Sequence, residues 1–185
     1  NFLIYYLKLK CHSPMSSNRP TITTFGCRLN IWESEVIRKH ATDAYLNNTV
    51  IFNTCAVTSE AEKQARQAIR KIKREQPDKQ IIVTGCAAQI NPEKWNAMSE
   101  VDCVIGNHEK LLADSWQRLR NNQLSSIEVT NISKVKETAS HMIDSFEEHT
   151  RGFLQIQQGC NHRCSFCIIP YLSLIHISEP TRPTP

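Results

Sequence analysis

The stretch Thr49–Gln89 reads TVIFNTCAVTSEAEKQARQAIRKIKREQPDKQIIVTGCAAQ. Two compact apolar runs, TVIFN and IIVT, enclose one helical pattern. Short runs rich in Val and Ile fit strands buried on both faces of a parallel sheet. Between them Ser59 and Glu62 form a capping-box pattern, and Ala61, Ala65, Ala68, Ile69 and Ile72 recur along one stripe. Pro77 stops the helix. Strand, helix, strand in this order is the repeating unit of an α/β sheet.

The same alternation extends on both sides. TITTF (Thr21–Phe25) and CVIG (Cys103–Gly106) are further strand candidates. After GCRLN, Asn30 is placed to cap a helix with Glu33 three residues on and with Val36 and Ile37 facing inward. A third helix starts at Pro92. A fourth covers EKLLADSWQRLR, Glu109–Arg120, with Leu111, Leu112, Trp116 and Leu119 inward. The expected fold is an α/β, doubly wound parallel sheet over residues 15–120. Residues 121–149 are polar and weakly periodic and read as a linker. RGFLQIQQGC, Arg151–Cys160, reads as the first strand of a second domain over residues 150–171. Residues 1–14 read as a non-native upstream extension, with the native start at Met15.

Composition sets limits on function. The chain has 185 residues, 40% hydrophobic and 22% charged, as a globular protein would. A net charge of +4 permits contact with nucleic acid without arguing for it. The N-terminal run FLIYYL is too short to span a bilayer and lacks the flanks of a signal peptide. No membrane partner is expected. Eight cysteines without a secretory route belong in a reducing, cytoplasmic compartment. There they are metal ligands or catalytic thiols more often than bridges.

The cysteine positions carry the chemistry. Cys27, Cys55 and Cys86 each follow a predicted strand. In a doubly wound sheet those strand ends share the ligand-binding edge, so three thiols distant in sequence converge in space. Gly26 and Gly85 let the backbone approach a bulky inorganic group. Helices that start after Cys27 and Cys55 are expected to favour thiolate over thiol. Cys103 reads as a small core residue, and Cys11 lies in the extension. Downstream, Cys160, Cys164 and Cys167 form C-x3-C-x2-C. Three thiolates in one tight loop can each bind one iron of a 4Fe-4S cube and leave the fourth iron open. Zinc, with His162 or His12 as fourth ligand, lacks the second cysteine pair such sites use. A non-catalytic iron–sulfur or zinc-binding module is the alternative from another class. Arg66, Arg70 and Lys73 share one helix face, which reads as solvated, although it could meet phosphates.

GCNHRCSFCIIP, Gly159–Pro170, resembles the cluster loop of the radical S-adenosylmethionine enzymes. TFGCRLN with ESE, NTCAVT and GCAAQ resemble the N-terminal domain of the methylthiotransferases. Together the resemblance covers residues 21–171. It implies that Cys160, Cys164 and Cys167 hold the radical cluster and that Cys27, Cys55 and Cys86 hold a second 4Fe-4S cluster used in sulfur insertion. It implies a place for Phe166 near bound S-adenosylmethionine and for Asn30 beside the first cluster ligand. GCRLN resembles the branch that methylthiolates N6-threonylcarbamoyladenosine in tRNA, next to the anticodon. The isopentenyladenosine branch more often reads GCQMN, and the ribosomal-protein branch GCPKN. The distinction rests on Arg28 and Leu29.

The implied reaction cleaves S-adenosylmethionine with one electron. The resulting adenosyl radical takes hydrogen from C2 of the modified adenine. Sulfur is then added, and a second S-adenosylmethionine supplies the methyl group. The implied partners are tRNA and an electron donor such as a flavodoxin or ferredoxin. The resemblance ends at Tyr171, after only the first strand and cluster loop of a radical partial barrel. Residues 172–185 read as an adapter-like artefact, so the intact parent is expected to be the enzyme and this chain as written inactive.

Overall fold

A computed structural model describes residues 19–135, 157–160, 162, 164–173 and 176–177. The proposed extension 1–14, including Cys11 and His12, lies outside them. So do much of the proposed linker and the apolar run Phe153–Ile156.

The centre is a parallel sheet of five strands: β1 (Thr21–Thr24), β2 (Thr49–Thr54), β3 (Gln80–Gly85), β4 (Cys103–Ile105) and β5 (Ile127–Glu128). They lie side by side in chain order, each parallel to its neighbour. β2 is buried along its whole length and β3 along all but its first residue, as their unbroken apolar runs require. The helices are α1 (Arg28–Asp43), α2 (Ser59–Glu75), α3 (Cys86–Ile90), α4 (Pro92–Asn96) and α5 (Ala113–Arg120).

Strand alternation sorts the core into two faces. Val50, Phe52, Ile81, Val83 and Val104 point one way and pack with Ala65 and Ile69 of α2, Ala87 and Ala88 of α3, and Trp95 of α4. Ile51, Ile82, Cys103 and Ile105 point the other way, onto Ile37 and Ala41 of α1 and Trp116 and Leu119 of α5. The expected α/β architecture, with helices on both faces, is present. α1 packs on one face of the sheet and α2 on the other.

Several local expectations change. Asn30 does not cap α1. Cys27 occupies the cap position without a side-chain cap bond, and Asn30 is fully buried in the first turn. The cap of α2 is Thr58 rather than Ser59; its hydroxyl accepts from the Ala61 N–H at 3.3 Å. Glu62 is instead drawn into ion pairs with Arg66 and Lys94 at 2.8 and 2.9 Å. The fourth helix is broken. A 3-10 turn, Glu109–Leu111, and an extended Leu112 precede α5, because Lys110 turns inward to a buried partner. Within the stretch read as linker, β5 extends the sheet, and Ile132 and Val135 are buried. Cys103 is a core residue, as expected, and 4% exposed.

Past the sheet, β6 (Gln157–Gln158) pairs antiparallel with β7 (His176–Ile177), which lies in the stretch read as an artefact tail. Leu172 is buried, and its carbonyl accepts from the Asn107 side chain at 3.0 Å. Among the described residues no helix is long and apolar enough to cross a membrane.

Candidate functional site

Each of Cys27, Cys55 and Cys86 stands where a strand ends. Cys27 lies two residues past Phe25, whose N–H donates to the Asn53 carbonyl and so extends the β1–β2 pairing by one rung. Cys55 follows β2 directly, and Cys86 opens α3 directly after β3. Two glycines with positive φ make these turns, Gly26 at +101° and Gly85 at +96°. A β-carbon on Gly26 would stand 2.6 Å from the Cys55 sulfur. The backbone before Cys27 therefore lies close against the Cys55 side chain.

Asn30 ties the edge together. Its side-chain amide donates to the carbonyls of Phe25 (2.6 Å) and Thr54 (3.2 Å), one at each of the first two strand ends. Its amide oxygen faces the Cys27 sulfur at 3.9 Å. Below it, the Asn53 amide donates to the Asn30 carbonyl and to the Ser34 hydroxyl. The structure thus gives Asn30 a role that sequence placed in a cap: it fixes the spacing of the loops that present Cys27 and Cys55.

The three thiols differ in surroundings. Cys27 is exposed, Cys55 buried and Cys86 partly buried. Burial raises the Cys55 thiol pKa, against the pull of the Val57 N–H, which reaches its sulfur at 3.5 Å. Burial pushes Cys86 up to about 12, with the Lys110 charge opposing and Glu33, Cys55 and Cys27 reinforcing. This corrects the expectation that helix dipoles favour thiolate at Cys55. α2 begins at Ser59, too far along the chain for its first turn to act on that sulfur.

Cys27, Cys55 and Cys86 offer three thiols at adjacent strand ends, donors of the kind an iron–sulfur group takes. Among the described residues no group of three His, Cys, Asp or Glu side chains is arranged to hold a single metal ion.

Behind the thiols lies a feature the sequence reading missed. Lys110 is fully buried, with its ammonium 2.6 Å from Glu33 and 2.8 Å from the Asn107 side-chain oxygen. The Asn107 N–H donates to the Gln89 side chain at 2.8 Å. The signal was present in Glu33, which shares a helix face with Val36 and Ile37 and so had to be buried.

The second triad lies on the loop after β6. Gly159, at φ +71°, turns the chain into Cys160. The Cys167 N–H donates to the Cys164 carbonyl at 3.0 Å and closes a turn through Ser165 and Phe166. Cys164 is exposed, Cys160 and Cys167 are partly buried, and Phe166 is 91% exposed. His162 is exposed as well. A cleft of about 880 Å³ separates this loop from the segment after β5, with Gln89, Val129, Asn131, Phe166, Cys167 and Tyr171 among its walls. α3 therefore supplies Cys86 to the first triad and Gln89 to the cleft beside the second. The basic face of α2 is occupied: Arg66 pairs with Glu62 and lies over the Trp95 ring, Arg70 faces Glu100, and Lys73 faces Asp102.

Comparison with known proteins agrees with this arrangement. Residues 19–106 match the family described as Uncharacterized protein family UPF0004, and that span holds all of the first triad. The chain is 58% identical over 154 residues to the threonylcarbamoyladenosine tRNA methylthiotransferase MtaB of Rickettsia prowazekii, covering 83% of this chain and 36% of the relative. Over most of its length the chain is similar to tRNA methylthiotransferases. To the protein of the same name from Bacillus subtilis it is 37% identical over 158 residues, 80% of this chain and 35% of the relative. To the tRNA-2-methylthio-N(6)-dimethylallyladenosine synthase of Mycobacterium bovis it is 31% identical over 164 residues, 82% of this chain and 32% of the relative. The chain thus spans about a third of the length of these relatives.

Proposed function

We propose that the protein carrying this chain adds a methylthio group to C2 of N6-threonylcarbamoyladenosine in tRNA, in the cytoplasm, by radical S-adenosylmethionine chemistry. The observation that carries this reading is the pairing of two separate cysteine triads, one at the strand ends and one in a C-x3-C-x2-C loop. The greater identity to the Rickettsia relative than to the dimethylallyladenosine synthase favours the threonylcarbamoyl branch.

When bound, two 4Fe-4S clusters and S-adenosylmethionine supply the electron, the hydrogen-abstracting radical, the sulfur and the methyl group. The chain's own residues bind and orient them. Cys160, Cys164 and Cys167 would hold one cluster, with Phe166 on the same loop. Cys27, Cys55 and Cys86 would hold the other, their loops spaced by Asn30. The cleft between the second loop and the segment after β5 is the room the chain offers to substrate beside that loop. The tRNA meets surfaces other than the α2 basic face, whose cations are paired. A flavodoxin or ferredoxin supplies the electron.

The test is mass spectrometry of tRNA nucleosides after incubation with the whole reconstituted protein. The methylthio product should appear on threonylcarbamoyladenosine. Replacing Cys27, Cys55 and Cys86 together by alanine should abolish it and leave S-adenosylmethionine cleavage intact. Product on isopentenyladenosine instead would move the protein to the other branch. Loss of cleavage in the triple variant, with the radical cluster still loaded, would refute the division of labour.

A further inference from the structure

The buried ion pair behind the first triad is not explained by packing alone. Lys110 comes from the turn after β4 and Glu33 from α1, the helix that begins after Cys27. Glu33 is one helical turn beyond Asn30, which faces the Cys27 sulfur. Asn107, the second partner of Lys110, is bonded through Gln89 to α3, whose first residue is Cys86. An ammonium carries three N–H donors. Glu33 and Asn107 take two, and the third has no partner among the described residues although the side chain is 0% exposed. A buried cation with a spare donor, without solvent to screen it, acts strongly on any charge that changes nearby.

We propose that Lys110 is a positioning residue for charge: its ammonium, moderated by Glu33, sets the reduction equilibrium of the iron–sulfur group held by Cys27, Cys55 and Cys86. This rests on the proposed cluster at that triad. Reduction of the cube adds one electron to an already anionic site. A fixed positive charge stabilises the reduced form, and a fixed negative charge opposes it. Hydrogen bonds and net charge around the sulfurs are the general means by which proteins tune such groups.

The experiment uses the full chain with Cys160→Ala, Cys164→Ala and Cys167→Ala, so that only the first triad can load. It is reconstituted anaerobically with ferrous iron and sulfide, and one-electron reduction by dithionite is followed by electron paramagnetic resonance against redox dyes. Lys110→Met should lower the reduced-to-oxidised ratio at fixed poise at least tenfold, and Glu33→Gln should raise it at least tenfold. Tenfold corresponds to about 59 mV for a one-electron couple. The double variant should return toward the parent. A purely structural pair would shift both variants the same way or neither, and that result overturns the proposal. If Lys110→Met does not fold, Glu33→Gln alone decides: a raised potential supports the proposal and an unchanged or lowered one refutes it. A parent that takes up no iron overturns the cluster site itself, and this inference with it.

Discussion

Replacing Gly85 by alanine tests how the sheet edge builds the site. Gly85 has φ +96° and ψ −170°, a region essentially closed to residues with a β-carbon. The added methyl would stand 2.5 Å from the Thr54 nitrogen and 2.6 Å from the Asn53 side-chain oxygen, and closer still to the Thr54 carbonyl. Thr54 is the register partner of Gly85 on β2, so the obstacle is backbone that cannot rotate away. Strain alone costs about 1–3 kcal/mol. Opening that rung and weakening the bond from the Thr54 hydroxyl to the Thr84 carbonyl adds about 1 kcal/mol. A total near 3 kcal/mol, with a urea dependence of about 2 kcal/mol per molar, lowers the unfolding midpoint by about 1.5 M. Gly26→Ala is the companion variant. Its backbone is equally strained, at φ +101°, and its methyl would stand 2.5 Å from the Cys55 β-carbon, which no side-chain rotation moves, and 2.6 Å from the Cys55 sulfur. It should cost a similar amount, about 3 kcal/mol, while displacing the Cys55 sulfur and lowering iron uptake at the first triad. Urea unfolding of the metal-free full chain reads the first effect and iron analysis the second. A Gly85→Ala midpoint equal to wild type, or full iron uptake in Gly26→Ala, would refute the reasoning.

Three further outcomes follow from the same geometry. Thr58→Ala should cost about 1 kcal/mol through the lost cap, and Ser59→Ala close to none; equal losses in urea would restore Ser59 as the cap. Trp116→Phe should destabilise more than Trp95→Phe, because the Trp116 indole N–H donates to the Lys110 carbonyl at 2.9 Å while that of Trp95 is buried without a partner among the described residues; the reverse order of urea midpoints would contradict this. The Cys86 thiol, at about 12 in the folded chain against an ordinary 9.0, holds a proton that the unfolded chain releases between those values. Its contribution is therefore complete below pH 9 and lost as pH climbs toward 12, so above about pH 9 the metal-free wild type should lose stability more steeply than Cys86→Ala, and parallel profiles would contradict the burial of this thiol.

Much of the fold was legible because buried parallel strands write themselves as unbroken Val and Ile runs. TVIFN and IIVT gave β2 and β3, and the second residue after each gave a thiol position. β5 was hidden because Ile127–Glu128 is too short to carry a pattern and is a strand only through its pairing with β4. The caps were misread by one or three residues because Ser59, Thr58 and Asn30 are all competent caps, and tertiary bonds decided among them. Asn30 went to two strand-end carbonyls instead. At Cys55 the thiolate expectation failed because burial outweighs a helix end four residues away. Lys110 was hidden in an apparently amphipathic helix. Only the fold shows that the turn Glu109–Leu111 brings it to Glu33, 77 residues earlier in the chain.

The central claim is that the two triads are separate iron–sulfur sites on one chain. Iron and acid-labile sulfide should be counted after anaerobic reconstitution of the full chain, the Cys27, Cys55 and Cys86 triple alanine variant, and the Cys160, Cys164 and Cys167 triple alanine variant. The account predicts that each variant loses about four irons and keeps about four, with visible absorption retained in both. Loss of all iron in either variant, or zinc without colour in the chain with both triads, would contradict it.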